Sequence, residues 1–189
     1  CRESVGPLVA AGSEVALARS ADGAIGLAWM EGGGVAEAGR LLFSNWDRVR
    51  EGWYDPVSVP ESAWRAPRAA GMGPVLAMGA AGCVAVALPQ DGGWRVWLSP
   101  DGGHTWSVPF LLAEGGSTLA LAVLSDGRTL AVWRSRGGKL LSRVVGTEEP
   151  PMPVGHELAD PLPFSLVALL DGSAVLATWV SPESGVGGL

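Results

Sequence analysis

Leu119-Ala-Leu-Ala-Val-Leu-Ser-Asp-Gly-Arg-Thr-Leu-Ala-Val-Trp133 decides the fold class. It is an apolar run, a Ser-Asp-Gly break, and a second apolar run that ends in a large aromatic residue. Glycine accepts a positive φ and aspartate bonds nearby backbone, so Asp126-Gly127 between apolar runs reads as a β-hairpin turn. Three further segments share the shape: Val15 to Trp29, Val75 to Leu88 and Leu166 to Trp179. Their turn glycines are Gly23, Gly82 and Gly172. Gly82, Gly127 and Gly172 are spaced at 45 residues, and the first interval is 14 residues longer, which fits insertions in loops. Trp29, Leu88 and Trp133 each fall six residues after their glycine, and Trp179 falls seven after.

A period in the forties with about four strands per unit is the signature of a β-propeller blade. The fourth strand of each unit is sought after the hairpin. Ser107-Val-Pro-Phe-Leu-Leu-Ala-Glu-Gly115 resembles Ser4-Val-Gly-Pro-Leu-Val-Ala-Ala-Gly12 and, more loosely, Tyr54-Asp-Pro-Val-Ser-Val-Pro60. Proline suits such outer strands because an edge can spare a ladder donor. A β-sandwich has strands and turns that look alike one at a time, but regular recurrence favours a propeller. The expected class is therefore all-β, a propeller of four-stranded antiparallel blades. The whole chain, 1–189, reads as one domain or fragment. Its units are expected at 14–60, 72–113, 117–159 and 164–189, with 4–10 as an outer closing strand. The last unit stops at Leu189, just where a third strand should begin. The expectation is thus a longer natural product, or closure of the ring by the segment from Val5 to Val9.

Composition agrees with this class. The chain has 28 glycines, 14 prolines and nine tryptophans, too apolar overall for disorder and turn-rich enough for many short strands. The formal charge of −6 is scattered, with no basic stripe, which argues against a nucleic-acid partner. The longest apolar stretch, Val75 to Leu88, is broken by Gly79 and Gly82 and is too short to span a bilayer, so no transmembrane segment is expected. Cys83 reads as a small buried residue of a strand. Cys1 stays open between two readings, an internal cysteine or the acylated first residue of a lipoprotein, which would supply a lipid anchor.

Ser99-Pro-Asp-Gly-Gly-His-Thr-Trp106 carries the most specific local pattern. Ser99 and Asp101 are placed to accept backbone N–H groups inside a tight hairpin, while the glycines permit left-handed geometry. Thr105 restarts the strand and Trp106 supplies a large apolar face. Leu42 to Pro56 holds a degenerate copy in which Ser44, Asp47, Gly52, Trp53 and Pro56 keep the order but not the spacing. The third unit has Gly146-Thr-Glu-Glu-Pro-Pro-Met-Pro153 in its place. The eight-residue stretch closely resembles the Asp box of sialidases and the wider group of sialidase-like, BNR-repeat propellers, with Ser99, Asp101, Gly103, Thr105 and Trp106 all matching. The resemblance implies a six-bladed propeller, of which this chain holds about four units. It also implies that the Asp box is a structural hairpin away from any active site.

Sialidases use an arginine triad, a Tyr–Glu nucleophile pair and an Asp acid/base, with the first arginine in an early Arg-Ile-Pro segment. That segment is absent; Ala66-Pro-Arg68 comes nearest. The single tyrosine, Tyr54, falls in an expected outer strand, and Glu148-Glu149 are neighbours in one loop, where carboxylates rarely face each other across a bond. His104 and His156 show no ligand spacing with each other or with the cysteines, so no metal or cofactor is expected. The connections after the second and fourth strands should emerge together, opposite the Asp-box hairpin. They are expected to hold Glu31, Trp64, Arg65, Arg68, Asp91, Trp94, Arg95, Arg134 and Arg136. Of these, Trp64, Arg65, Arg68, Trp94, Arg95, Arg134 and Arg136 are the candidate ligand-binding set, by stacking and bidentate hydrogen bonds. The expected role is an extracytoplasmic binding or scaffold domain, taking a glycan or another protein, with no catalytic residues of its own. The alternatives are a truncated exo-sialidase whose catalytic residues lie outside this chain, and a purely structural module of a larger surface protein.

Overall fold

The computed structural model describes residues 14–32, 39–63, 73–90, 93–112, 115–135, 137–154, 164–169, 171 and 173–178. These residues are all-β apart from one 3-10 turn. Sheet 1 contains β1 (Val15–Arg19), β2 (Ile25–Glu31), β3 (Arg40–Asp47), β4 (Gly52–Trp53) and β5 (Val57–Ser58). Its strands run in the order β1-β2-β3-β4, and β5 also pairs with β3, so two short strands share the fourth position. Sheet 2 is β6 (Val75–Met78), β7 (Val84–Gln90), β8 (Gly93–Ser99) and β9 (Phe110–Leu112), in that order. Sheet 3 is β10 (Gly115–Val123), β11 (Thr129–Ser135), β12 (Leu140–Val144) and β13 (Met152–Pro153). The hairpin β14 (Phe164–Ala168) and β15 (Ala174–Thr178) forms a fourth, two-stranded sheet. Every pairing is antiparallel, and all but β3–β5 join strands that are neighbours in sequence.

The turns between first and second strands follow the glycines. Gly23, Gly82 and Gly127 have φ of 85°, 80° and 84°, a region that L side chains rarely adopt. The second of these turns differs from a plain hairpin. Lacking the Asp of its counterparts, Ala80–Gly82 coils into the 3-10 turn and places Ala81 at φ 57°. Gly172 lies outside the described residues.

Two apolar cores lie between consecutive sheets. Ala28, Met30, Leu41, Phe43 and Val59 of sheet 1 and its flank pack with Val84, Val86, Leu88 and Trp97 of sheet 2. Ala77, Ala85, Ala87, Trp94 and Val96 of sheet 2 pack with Leu119, Leu121, Val123, Ala131 and Trp133 of sheet 3. Successive residues of β7 therefore enter different cores, which is why Val84-Ala-Val-Ala-Leu88 has no polar alternation. Trp97 and Trp133 are fully buried, one in each core. Cys83 is a correction: it precedes β7 rather than lying within it, is only half-buried, and packs against the second core as a free thiol.

The first strands β1, β6, β10 and β14 are neighbours in that order. All four line one cavity of about 530 Å³, through Ala18 and Arg19, Leu76 to Met78, Leu121 to Val123, and Leu166 to Ala168.

Candidate functional site

The Asp-box hairpin joins β8 to β9, and its side chains bond one another. Ser99 is buried; its hydroxyl donates to Asp101 Oδ1 at 2.9 Å and accepts the Gly103 N–H at 2.8 Å. Asp101 Oδ1 accepts the Thr105 N–H at 2.8 Å, and Oδ2 accepts the Thr105 hydroxyl at 2.7 Å. Those two Thr105 bonds, the hydroxyl first, hold the Asp101 carboxyl down at about 2, so it stays ionised as an acceptor. Gly102 and Gly103 take φ of 73° and 91°, which turns the chain inside this short loop.

The hairpin is seated on sheet 1. Trp106 meets Phe43 edge to face, with ring centroids 5.4 Å apart at 82°. A Cβ on Gly103 would lie 2.5 Å from two Phe43 ring carbons, so the backbone rests directly on that ring. The Asn45 side-chain amide donates to the Gly102 carbonyl, and the Gly102 N–H donates to the Gly82 carbonyl at 2.7 Å. Asn45 and Phe43 belong to β3 and Gly82 to the β6–β7 turn, so the Asp box ties two sheets and two turns together.

The expected ligand-binding set is only partly brought together. Trp94 is a correction: it lies within β8, opposite Pro89 and Leu112, and is 3% exposed in the core between sheets 2 and 3. A ligand at a loop mouth cannot stack on it. Arg95 and Arg134 also belong to strands rather than loops. Arg95 sits in β8 opposite Leu88 and Leu111, and Arg134 in β11 opposite Leu140, both half-buried. Glu31 ends β2 and pairs with Arg40 across the β2–β3 connection at 2.5 Å. Trp64, Arg65, Arg68, Asp91, Arg136 and Cys1 lie outside the described residues.

A second cluster, at the other end of sheet 1, brings together residues that no single stretch of the sequence nominates. The β1–β2 turn, the end of β3 and the residue after β4 border a shallow, open depression of about 320 Å³, lined by Asp22, Ala24, Trp46, Asp47, Arg48 and Tyr54. Tyr54 is a further correction: it follows β4 outside any strand, half exposed, with its N–H on the Asn45 carbonyl at 2.9 Å. Its carbonyl accepts the Ser44 hydroxyl at 2.6 Å. Asp47 Oδ1 accepts the N–H groups of Val49 at 2.8 Å and Arg50 at 3.2 Å, and Oδ2 lies 3.4 Å from the Arg50 guanidinium. Those amides, Arg50 first, lower the Asp47 carboxyl, while the Ser20 hydroxyl and then the Ala24 amide lower that of Asp22. Arg50 lies over the Tyr54 ring at 5.9 Å. Trp53 meets Trp46 edge to face at 5.6 Å and 77°. Arg48 donates to the Gly23 carbonyl and so links the two turns. The signal was available: in a sheet whose strands run up and down in sequence order, the first and third turns share one end, which brings Asp22 to Asp47 and Tyr54.

Among the described residues no group of three or more His, Cys, Asp or Glu side chains could hold a metal ion. No helix among them is long and apolar enough to cross a membrane. No protein-family model and no curated protein matches the chain. A solved structure, a hypothetical protein from Leishmania major, is similar to it at 14% sequence identity and a TM-score of 0.40. The match covers 92% of this chain and 66% of that one. The class that the described residues define is all-β, built of three antiparallel sheets, one of five strands and two of four, with one further hairpin.

Proposed function

We propose that the chain is part of a sialidase-like Asp-box propeller that works outside the cytoplasm as a binding or scaffold domain, taking a glycan or another protein, without catalysis of its own. The observation that carries this reading is the Asp-box hairpin seated on sheet 1. Ser99, Asp101 and Thr105 bond one another, and Gly103 and Trp106 rest on Phe43, so the motif builds a junction between sheets rather than a reaction centre. The four first strands around one cavity support the radial arrangement of blades.

Tyr54 follows β4 and lines the opening at the turn end of sheet 1. Its hydrogen bond to Asp47, and then the charge of that carboxylate, hold the phenol above its ordinary value, and the sequence has no early Arg-Ile-Pro segment to supply the first arginine of a sialidase site. A fluorogenic sialoside assay on the purified chain tests the proposal. The expected result is no turnover above buffer. Turnover that collapses in Tyr54→Phe or Arg68→Ala overturns it in favour of the sialidase alternative.

A further inference from the structure

We propose that the cavity lined by the four first strands takes an extended, uncharged peptide segment of another protein, which adds a strand to the free edge of β14. This deepens the binding reading by naming the partner class and the edge it meets, and it rests on that reading only in taking the chain as a binder.

The backbone carries it. In an antiparallel pair, residues alternate between exchanging hydrogen bonds with the strand opposite and turning their N–H and C=O to the other side. At the ends of the four first strands, the N–H groups of Ser20, Gly79, Leu124 and Leu169 donate to the carbonyls of Ala24, Cys83, Arg128 and Ser173, at 2.7–2.9 Å. Counted back by twos along each register, the residues between them turn away from the ladder. They are Arg19 in β1, Leu76 and Met78 in β6, Leu121 and Val123 in β10, and Leu166 and Ala168 in β14. All of them line the cavity. Each first strand ends its sheet, so these groups have no ladder partner among the described residues. A row of alternating donors and acceptors is a template for one more strand, and a peptide supplies the matching row.

β14 is the edge with room. β6 lies against both β1 and β10, and Leu121 and Val123 of β10 are each 6% exposed, whereas Leu166 and Ala168 are half-buried. A strand added there continues the β14–β15 sheet and sets every second side chain beside Val167 and Leu169, which are 55% and 41% exposed. Such neighbours favour β-branched, apolar residues in the segment. Arg19 is the one charged side chain of the described lining. The flanking turns hold Asp22, Asp171 and Asp126, the last paired with Arg128, and Arg48 reaches the Gly23 carbonyl. Charge of both signs therefore surrounds this end of the cavity, and only an uncharged segment meets no like charge. The four lining residues of β14, at about 3.3 Å each, give the added strand a path of about 13 Å. The volume of about 530 Å³ is ordinary for a ligand cavity.

The probe is acetyl-Thr-Val-Ala-Val-Thr-amide, titrated into the purified, isotope-labelled chain and followed by NMR. The expected result is saturable binding that shifts the Leu166 and Ala168 amide resonances and slows their hydrogen exchange more than that of Val167, which already bonds to β15. Two further probes carry backbone N-methyl groups, one on the second and fourth residues and one on the first, third and fifth, so that each loses the donors of one edge. One of them should bind at least tenfold more weakly and the other should not. Ala168→Pro removes an N–H that the β14–β15 ladder does not use and sets the ring on the free edge. It should weaken binding at least tenfold with the Tm nearly unchanged, while Arg128→Ala leaves binding as it was. The N-methyl pair decides the question if the proline variant does not fold. The proposal is overturned if the peptide does not bind, if both N-methyl probes or neither lose affinity, or if the shifts centre on β6 or β10. It is also overturned if hexanol, which is apolar but has no peptide backbone, gives the same shifts at Leu166 and Ala168. None of these outcomes touches the non-catalytic reading, which sialoside turnover tests.

Discussion

Replacing Gly103 by alanine probes the junction between the Asp-box hairpin and sheet 1 at its tightest point. Two costs combine there. The backbone at φ 91° lies where an L side chain is strained, which costs roughly 1–2 kcal/mol. The new methyl group would lie 2.5 Å from Phe43 Cδ1 and Cε1, and Phe43 is 1% exposed and held by Trp106, so the ring has little room to yield. Overpacking of this kind costs about 1–3 kcal/mol. Alanine returns about 0.4–1 kcal/mol by restricting the unfolded chain. The expected net loss is about 2–4 kcal/mol, or a Tm lower by roughly 6–12 °C for a chain of this length. Gly102→Ala is the matched control. Its φ is 73°, but its Cβ would meet only the Asn45 amide nitrogen, at 3.4 Å, so strain alone is expected and a loss of about 1 kcal/mol. Urea unfolding followed by circular dichroism measures both variants. Adding Phe43→Leu to Gly103→Ala should cost less than the two changes taken separately, because the smaller side chain relieves the contact. Equal losses for Gly103→Ala and Gly102→Ala, or strict additivity with Phe43→Leu, would refute the seating of the hairpin on that ring.

Trp97→Ala should lose about 3–5 kcal/mol in the same unfolding assay, because the side chain is fully buried between sheets 1 and 2. Trp97→Phe should lose far less, since the indole N–H is buried without a hydrogen-bond partner; similar losses would contradict that environment. Asn45→Ala removes the donor to the Gly102 carbonyl and should lose about 1 kcal/mol, with no loss if the two sheets are held by packing alone. Asp101 has a folded-state carboxyl at about 2 against an ordinary 3.8, so its contribution is present above pH 4 and fades as pH falls towards 2. The Tm difference between the unaltered protein and Asp101→Asn should therefore shrink across that window, and a difference that is constant with pH would contradict it.

What could be read from the sequence was local and periodic. Asp22-Gly23 and Asp126-Gly127 mark the first turns because a positive φ and an Asx bond are properties of those residues alone, and the recurring hairpins followed from them. The Asp box is legible for the same reason: the bonds among its own residues run between positions four or fewer apart. Trp94 reads as a loop residue in the sequence because it follows Asp91-Gly-Gly93, whereas β7 and β8 continue almost to the turn, with Gln90 paired to Gly93. Its burial depends on sheet 3 lying against that face of β8, a contact that no local pattern records. Tyr54 was placed in a strand by its neighbours Trp53 and Val57, but the fourth position of sheet 1 is split there between β4 and β5. The opening around Asp22 and Asp47 was missed because its members lie in two turns 25 residues apart and meet only through the β2–β3 pairing.

Spin-label distances measure the central claim, that the sheets radiate from one cavity lined by their first strands. With Cys1 and Cys83 replaced by serine, labels at cysteines introduced for Arg19, Ser125 and Leu169 mark three residues that line that cavity from β1, β10 and β14 or their ends. Blades about an axis curve the path from β1 through β10 to β14. The account therefore predicts a separation between positions 19 and 169 clearly shorter than the sum of the 19–125 and 125–169 separations. A separation equal to that sum would place the sheets in a straight stack and contradict the account.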